Sequence, residues 1–197
     1  MVNVGCGSQY KKYCPGQESN LYAFSLLLNR RSVRNKTGDL VDYISHDCKP
    51  DIVAIKESWL GQHDDAVRVE LCPEGYNLLD HTREKRRGGG TALLYRDSVC
   101  VHEIDAENRT SYELSEWLIY LTFAEKMRVV VVYRPPYSGG HMVPTSVFSD
   151  EFSAYLESLL LCKERPLICG DFNIHVDSVD DPDSVKFCDS LESVGLR

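Results

Sequence analysis

Four polar residues stand where apolar runs break off: Asn29, Glu57, Asp171 and Asn173. Such groups are costly to bury, and side chains from strand ends converge on one rim of a sheet, where sites commonly form. The carboxylate of Glu57 with an Asn-Asp-Asn set suits a hard divalent cation. Mg2+ takes one or two carboxylates and fills its remaining positions with water and substrate phosphate. An acidic residue nearby then orients or deprotonates an attacking water, while amides donate to phosphate oxygens. Taken singly, each residue also has an ordinary reading. Gly170-Asp171 fits a turn after a strand, Glu57 beside Trp59 fits a carboxylate at a helix start, and Asn29 fits a turn cap.

The elements that must position these residues follow from periodicity. An apolar strand over 21–28 ends at Asn29, and the spacing of Leu40, Val41 and Ile44 predicts a helix over 38–46, closed by Lys49-Pro50. A β-branched run over 51–55 leads to Lys56-Glu57. Strands are predicted over 76–80, 91–95 and 99–104, with Arg86 to Gly90 a hairpin tip between two of them. A second hairpin joins 116–123 to 127–133, and Pro135-Pro136 ends it, because proline offers no N–H to a ladder. Apolar residues at Phe148, Phe152, Tyr155, Leu156, Leu159 and Leu160 predict a helix over 147–161. A strand over 166–169 delivers Gly170-Asp171, and a last helix spans 184–194. Residues 1–20, with Gly5, Gly7, Pro15 and Gly16 among polar neighbours, read as an irregular leader before one domain over 21–197. This order suggests two packed sheets with helices outside.

The 197 residues, 43% hydrophobic and 26% charged, exclude a disordered chain and suit a single core. No apolar run is long enough to span a bilayer, and no signal peptide is expected. A net charge of −8 argues against a protein that coats nucleic acid non-specifically. The charge is uneven, however. Arg30, Arg31, Arg34 and Lys36 form one basic cluster; Arg83, Lys85, Arg86 and Arg87 form another. Each reads equally as a solvated loop or a grip on phosphate. The eight Cys residues show no C-x-x-C pair, so reduced thiols in the cytosol or nucleus are expected, and not secretion.

The segments LLNRRSVRNK, DIVAIKESWL, RRGGGTALLYR, VVVVYRPP and ICGDFNIHVD follow one another in order. Together they resemble the successive motifs of the endonuclease/exonuclease/phosphatase superfamily, in the wording of the endonuclease domain of LINE-type non-LTR retrotransposons. The resemblance runs from about Leu21 to Arg197. It implies a four-layer α/β sandwich: two mostly antiparallel β-sheets packed face to face with helices outside, with the C-terminal strands missing. By the same resemblance Glu57 and Asn29 hold the metal, Mg2+ or alternatively Mn2+. Tyr133 contacts the scissile phosphate, Asp171 activates or aligns the water, and Asn173 contacts the phosphate. Arg34, Arg86, Arg87 and Arg134 are candidate contacts to nucleic acid, with lining of the surface the plainer reading of Arg134.

The sequence departs from that pattern twice. Lys56 stands beside Glu57 where the family carries a small polar Thr; its ammonium either pairs with Glu57 and competes with the cation, or points away. The family's closing strands, with their Asp-His pair, have no counterpart among the six His residues. Their loss would leave an unpaired sheet edge. The resemblance implies a DNA-nicking endonuclease of a retrotransposon polyprotein, acting on chromosomal DNA with no membrane partner. The 3′-hydroxyl it leaves would prime a reverse transcriptase domain in cis. Two alternatives stand beside it: a non-catalytic, transposon-derived remnant that binds nucleic acid, and a phosphatase of a sugar or lipid headgroup.

Overall fold

The computed structural model describes residues 2–4, 11–13, 25–29, 33, 35–82, 89–105, 109–121, 125–138, 141–178 and 180–196. In chain order the strands and helices are β1 (Val2–Val4), β2 (Lys11–Tyr13), β3 (Ser25–Asn29), α1 (Thr37–Asp42), β4 (Ile52–Lys56), α2 (Asp65–Leu71), β5 (Tyr76–His81), β6 (Thr91–Arg96), β7 (Cys100–Ile104), β8 (Glu113–Tyr120), β9 (Lys126–Tyr133), α3 (Thr145–Leu160), β10 (Arg165–Asp171) and α4 (Pro182–Ser193). They make two five-stranded sheets, one ordered β1-β10-β9-β8-β7 and the other β2-β3-β4-β6-β5. Pairing is antiparallel except β3 with β4 and β10 with both β9 and β1.

Three apolar layers hold four layers of structure together. Between the sheets lie Ile52, Ala54, Leu93, Trp117, Ile119, Val129, Val131 and Cys169. On the outer face of the β10-β9-β8 sheet, Val130, Val132 and Ile168 pack against Phe148, Phe152 and Leu156 of α3 and Phe187 and Leu191 of α4. On the outer face of the other sheet, Val53, Ile55, Ala92 and Leu94 pack against Leu40, Ile44 and Leu71. Each of these central strands is therefore apolar on both faces, so 52–55 and 129–132 read as continuous apolar runs.

The helices follow their own local chemistry. α4 starts at Asp181, whose carboxylate accepts from Asp183 N–H, with Pro182 in the first turn. α1 continues into a π-helical turn, Tyr43–Cys48, and stops at Lys49 in the left-handed region ahead of Pro50. Among the described residues no helix is long and apolar enough to cross a membrane.

Within residues 1–20, expected to be an irregular leader, the described residues Val2–Val4 and Lys11–Tyr13 are strands. Val2–Val4 pairs in parallel with Ile168–Gly170, and Lys11–Tyr13 pairs with Ser25–Leu27. Strands of three residues are too short to show a period of two, which hid them in the sequence. β10 thus has neighbours on both sides, β9 and β1.

Candidate active site

Strand parity decides which side chains can meet. Along β4, Val53 and Ile55 face the helices, while Ile52 and Ala54 face the other sheet. Lys56 is next in that inward file. The same alternation carries Thr91 with Leu93, His81 with Leu79, Ser115 with Trp117, Tyr133 with Val131, and Asp171 with Cys169. The layer between the sheets, apolar through its middle, therefore ends in a polar rim. Register aligns the rim strand by strand. Asn29 lies opposite Lys56, Lys56 opposite Thr91, Thr91 opposite His81; in the other sheet Asp171 lies opposite Tyr133 and Tyr133 opposite Glu113.

Glu57 follows the last residue of β4 and turns with φ of 54°, as Trp59 does with 56°. Non-glycine residues in this left-handed region cost free energy and persist only when their surroundings over-determine them. Here the surroundings are the glycine turn before β6. Ser58 N–H donates to Gly90 O at 3.1 Å and Trp59 N–H to Gly89 O at 2.9 Å. Gly90 N–H in turn donates to Glu113 Oε2 at 2.7 Å. A Cβ on Gly89 would lie 2.7 Å from the Glu113 carboxylate, and its φ is 77°. Only glycine suits that place. So turned, Glu57 Oε1 accepts the Tyr133 hydroxyl at 2.7 Å, a bond that crosses from one sheet to the other. Burial first, and the Glu57 bond second, hold the Tyr133 pKa well above the ordinary phenol value. Tyr133 is a neutral hydrogen-bond donor at every working pH.

Asp171 ends β10, and the approach of β10 to β9 depends on Gly170. A Cβ there would lie 2.1 Å from Val132 O. Asp171 Oδ2 pairs with Lys56 Nζ at 3.3 Å, and Oδ1 accepts Asn173 N–H at 3.1 Å. Lys56 Nζ also reaches Gly170 O at 3.5 Å, and Lys56 is 0% exposed. Neither of the two expectations for this lysine foresaw the partner it takes. It points into the space between the sheets, because parity allows nothing else, and meets Asp171 on the opposite sheet.

Asn173, at φ of 47°, sends its side-chain N–H to Arg134 O at 2.5 Å, while Arg134 N–H donates to Asp171 O at 2.8 Å. The turn after β10 is thus laced to the end of β9. Arg134, one candidate contact to nucleic acid, is buried instead. Its guanidinium donates to Phe172 O at 3.0 Å, Asn173 O at 3.3 Å and Thr145 Oγ1 at 2.8 Å, and lies over the Phe148 ring. Burial lowers its pKa. The flat, multi-donor guanidinium serves here as an internal clamp.

The structure brings Glu57, Tyr133, Asp171 and Asn173 to the rim and ends β3 with Asn29 in register beside Lys56. Arg34, Arg86 and Arg87 lie outside the described residues. His175 and Asp177 are both exposed beyond the turn. Several rim residues were missed in the sequence: Glu113, Thr145, and a set in which Ser115 meets His81 and Thr91 while His81 meets Glu103. Apart from Thr145, which opens α3, their signal was a polar residue at an inward strand position. Reading it requires the sheet face to be known first.

The donor chemistry fits a one-carboxylate metal site. Among the described residues no three His, Cys, Asp or Glu side chains gather as a cage, and Mg2+ needs none where water and phosphate complete its shell. Glu57 has its second oxygen available to such an ion, since the Tyr133 bond takes Oε1.

A family model described as the Endonuclease/Exonuclease/phosphatase family matches residues 3–186. Solved structures with a similar fold include the endonuclease domain of TRAS1, a telomere-specific non-LTR retrotransposon, with TM-score 0.60 and 14% identity over 87% of this chain and 70% of that one. The AP endonuclease LMAP of Leishmania major gives 0.58 and 15%, over 82% and 62%. The human Nocturnin catalytic domain gives 0.52 and 13%, over 80% and 63%. This chain therefore spans under two thirds of the last two. No curated protein sequence matches it.

Proposed function

Because this chain belongs to the Endonuclease/Exonuclease/phosphatase family, we propose that its rim is a metal-dependent phosphodiesterase site that nicks DNA, as part of a non-LTR retrotransposon polyprotein. One observation carries the reading. The Tyr133 hydroxyl, from one sheet, is bonded to the Glu57 carboxylate from the other, and Asp171 stands in register beside Tyr133. A carboxylate, a neutral phenol donor and a second carboxylate meet at the rim of the sandwich, the set of groups that hydrolysis of a phosphate ester uses.

Glu57, with Asn29 beside it on the neighbouring strand, would hold Mg2+ or Mn2+, which supplies charge neutralisation at the phosphate and at the leaving 3′ oxygen. Tyr133 orients Glu57 and offers a proton to a phosphate oxygen that displaces it. Asp171 aligns the attacking water through the carboxylate that Asn173 N–H holds in place. Arg134 and Asn173 fix the backbone between those two groups. DNA is the substrate in this reading, and a reverse transcriptase domain in cis would use the 3′-hydroxyl left by the cut.

A second reading, a relative that binds nucleic acid without cutting it, is favoured by the Lys56–Asp171 pair, which engages the carboxylate meant for water. Supercoiled plasmid separates the two. With Mg2+ the protein should nick it, and Glu57→Ala and Asp171→Ala should each lower the rate by about 10²-fold or more. No nicking above background, or equal nicking by both variants, would overturn the phosphodiesterase reading. A filter-binding measurement on the same DNA then tests the second.

A further inference from the structure

Lys56 has no part in the reaction just described, yet it occupies the most guarded place in the site. It is 0% exposed, one residue before Glu57, and its ammonium reaches across the sandwich to Asp171 Oδ2 at 3.3 Å and Gly170 O at 3.5 Å. A filler role fits poorly. Ile52 and Ala54, earlier in the same inward file, fill their places without any charge to desolvate. A substrate contact fits no better, because none of the side chain reaches the surface. What remains is the charge itself, one residue along the chain from the carboxylate assigned to the metal and paired with Asp171.

That charge acts on the site in two ways of the same sign. An ammonium next to Glu57 repels a divalent cation there, and in a buried setting salt screens this repulsion little. Its pairing with Asp171 also neutralises the negative charge that would otherwise help draw the cation in. We infer that Lys56 sets the metal affinity of this site: it is a resident ammonium that holds Asp171 and opposes a divalent ion at Glu57. The site then loads only weakly with free cation. The inference rests on Glu57 being the metal ligand, and its test keeps the two claims apart.

Mn2+ binding to the full chain, without DNA, is measured from the paramagnetic resonance of the free ion and from the Mn2+-induced rise in thermal midpoint. Lys56→Met keeps the volume and removes the charge. Its dissociation constant for Mn2+ should fall by about ten-fold, while Glu57→Gln should bind at least about ten-fold more weakly than wild type. The double variant Lys56→Met with Asp171→Asn removes both charges of the pair, and its affinity should return toward the wild-type value. A Lys56→Met protein that binds Mn2+ no more tightly than wild type, while Glu57→Gln binds weakly, overturns the inference and leaves the Glu57 assignment standing. Equal binding by Glu57→Gln and wild type overturns the metal assignment itself. Should Lys56→Met fail to melt cooperatively, Lys56→Thr carries the same comparison, with the double variant as the charge-balanced form. A purely structural lysine would change the metal-free thermal midpoint and leave the Mn2+ affinity where it was.

Discussion

Two polar bridges join the sheets at the same end of the sandwich. One runs from Lys56 and Glu57 to Asp171 and Tyr133. The other runs from His81 and Thr91 to Ser115 and Glu103. Judged by residue types alone, the His81 bridge is the more catalytic of the pair, with a carboxylate, an imidazole and a hydroxyl in succession, the order that nucleophilic hydrolysis uses. Its geometry says otherwise. Ser115 is 1% exposed and its hydroxyl is held by both Thr91 and His81 Nδ1, the latter at 2.6 Å, while the imidazole stacks on Trp117. No substrate atom can reach that oxygen. In the Glu57 bridge, by contrast, the carboxylate has an oxygen beyond the one that Tyr133 uses, and Asn173 nearby is exposed. Unspent lone pairs with access to solvent make a site; the same residue types, closed on one another, make a clamp.

The largest test of this contrast is Gly170→Ala. Its Cβ would strike Val132 O, a backbone atom that cannot step aside, so β10 must move and Asp171 with it. A loss of about 3 kcal/mol or more in denaturant unfolding is expected, together with loss of nicking. A stable, active Gly170→Ala protein would mean that the placement of Asp171 tolerates what this register forbids. Next comes Tyr133→Phe, which removes only the hydroxyl that meets Glu57. Nicking should fall about 10²-fold, with a stability change below about 1 kcal/mol because water can replace the lost donor at a half-buried carboxylate. Ser115→Ala should do the reverse. It leaves Thr91 and His81 short of a buried partner and costs about 1–3 kcal/mol, with the nicking rate unchanged. A folded Ser115→Ala protein that no longer nicks would move the His81 bridge into the chemistry.

Much of this arrangement was legible in the sequence, and the limits have physical causes. The apolar runs at 52–55 and 129–132 and the helical face of 148–159 declare themselves, because burial on both faces or along one stripe leaves a periodic trace. The strand-end positions of Glu57 and Asp171 follow directly. Lys56 did not follow, since its direction depends on which face of β4 meets the other sheet, a fact set by how the layers stack. Arg134 was read by its charge, as a contact to nucleic acid or a surface residue. It is spent internally because two backbone carbonyls and Thr145 converge on it, a convergence no local spacing encodes. The start of β8 at Glu113, three residues earlier than its apolar pattern suggests, hid the carboxylate that receives Gly90 N–H. The short strands β1 and β2 gave no period to detect.

The smallest predicted effect probes the layer that both bridges cap. Cys169 lies in it, fully enclosed, its thiol directed at Val130 O, and burial pushes its pKa from 9.0 up to about 12. A raised pKa means that the fold prefers the neutral thiol. The associated stability is complete below the unfolded value and drains away as pH rises from 9.0 toward 12. Alkylation requires the thiolate, so at about pH 8 an iodoacetamide reagent should modify exposed Cys100 readily and Cys169 only when the sheets part. Mass spectrometry of the two peptides reads both rates in one experiment. Ser115→Ala should quicken Cys169 labelling in proportion to the stability it loses, whereas Tyr133→Phe should leave it near the wild-type rate. Equal labelling of Cys169 and Cys100 in the folded wild type would mean that the layer opens without unfolding. Both bridges would then be caps on a loose seam, and the distinction between site and clamp would have to rest on chemistry alone.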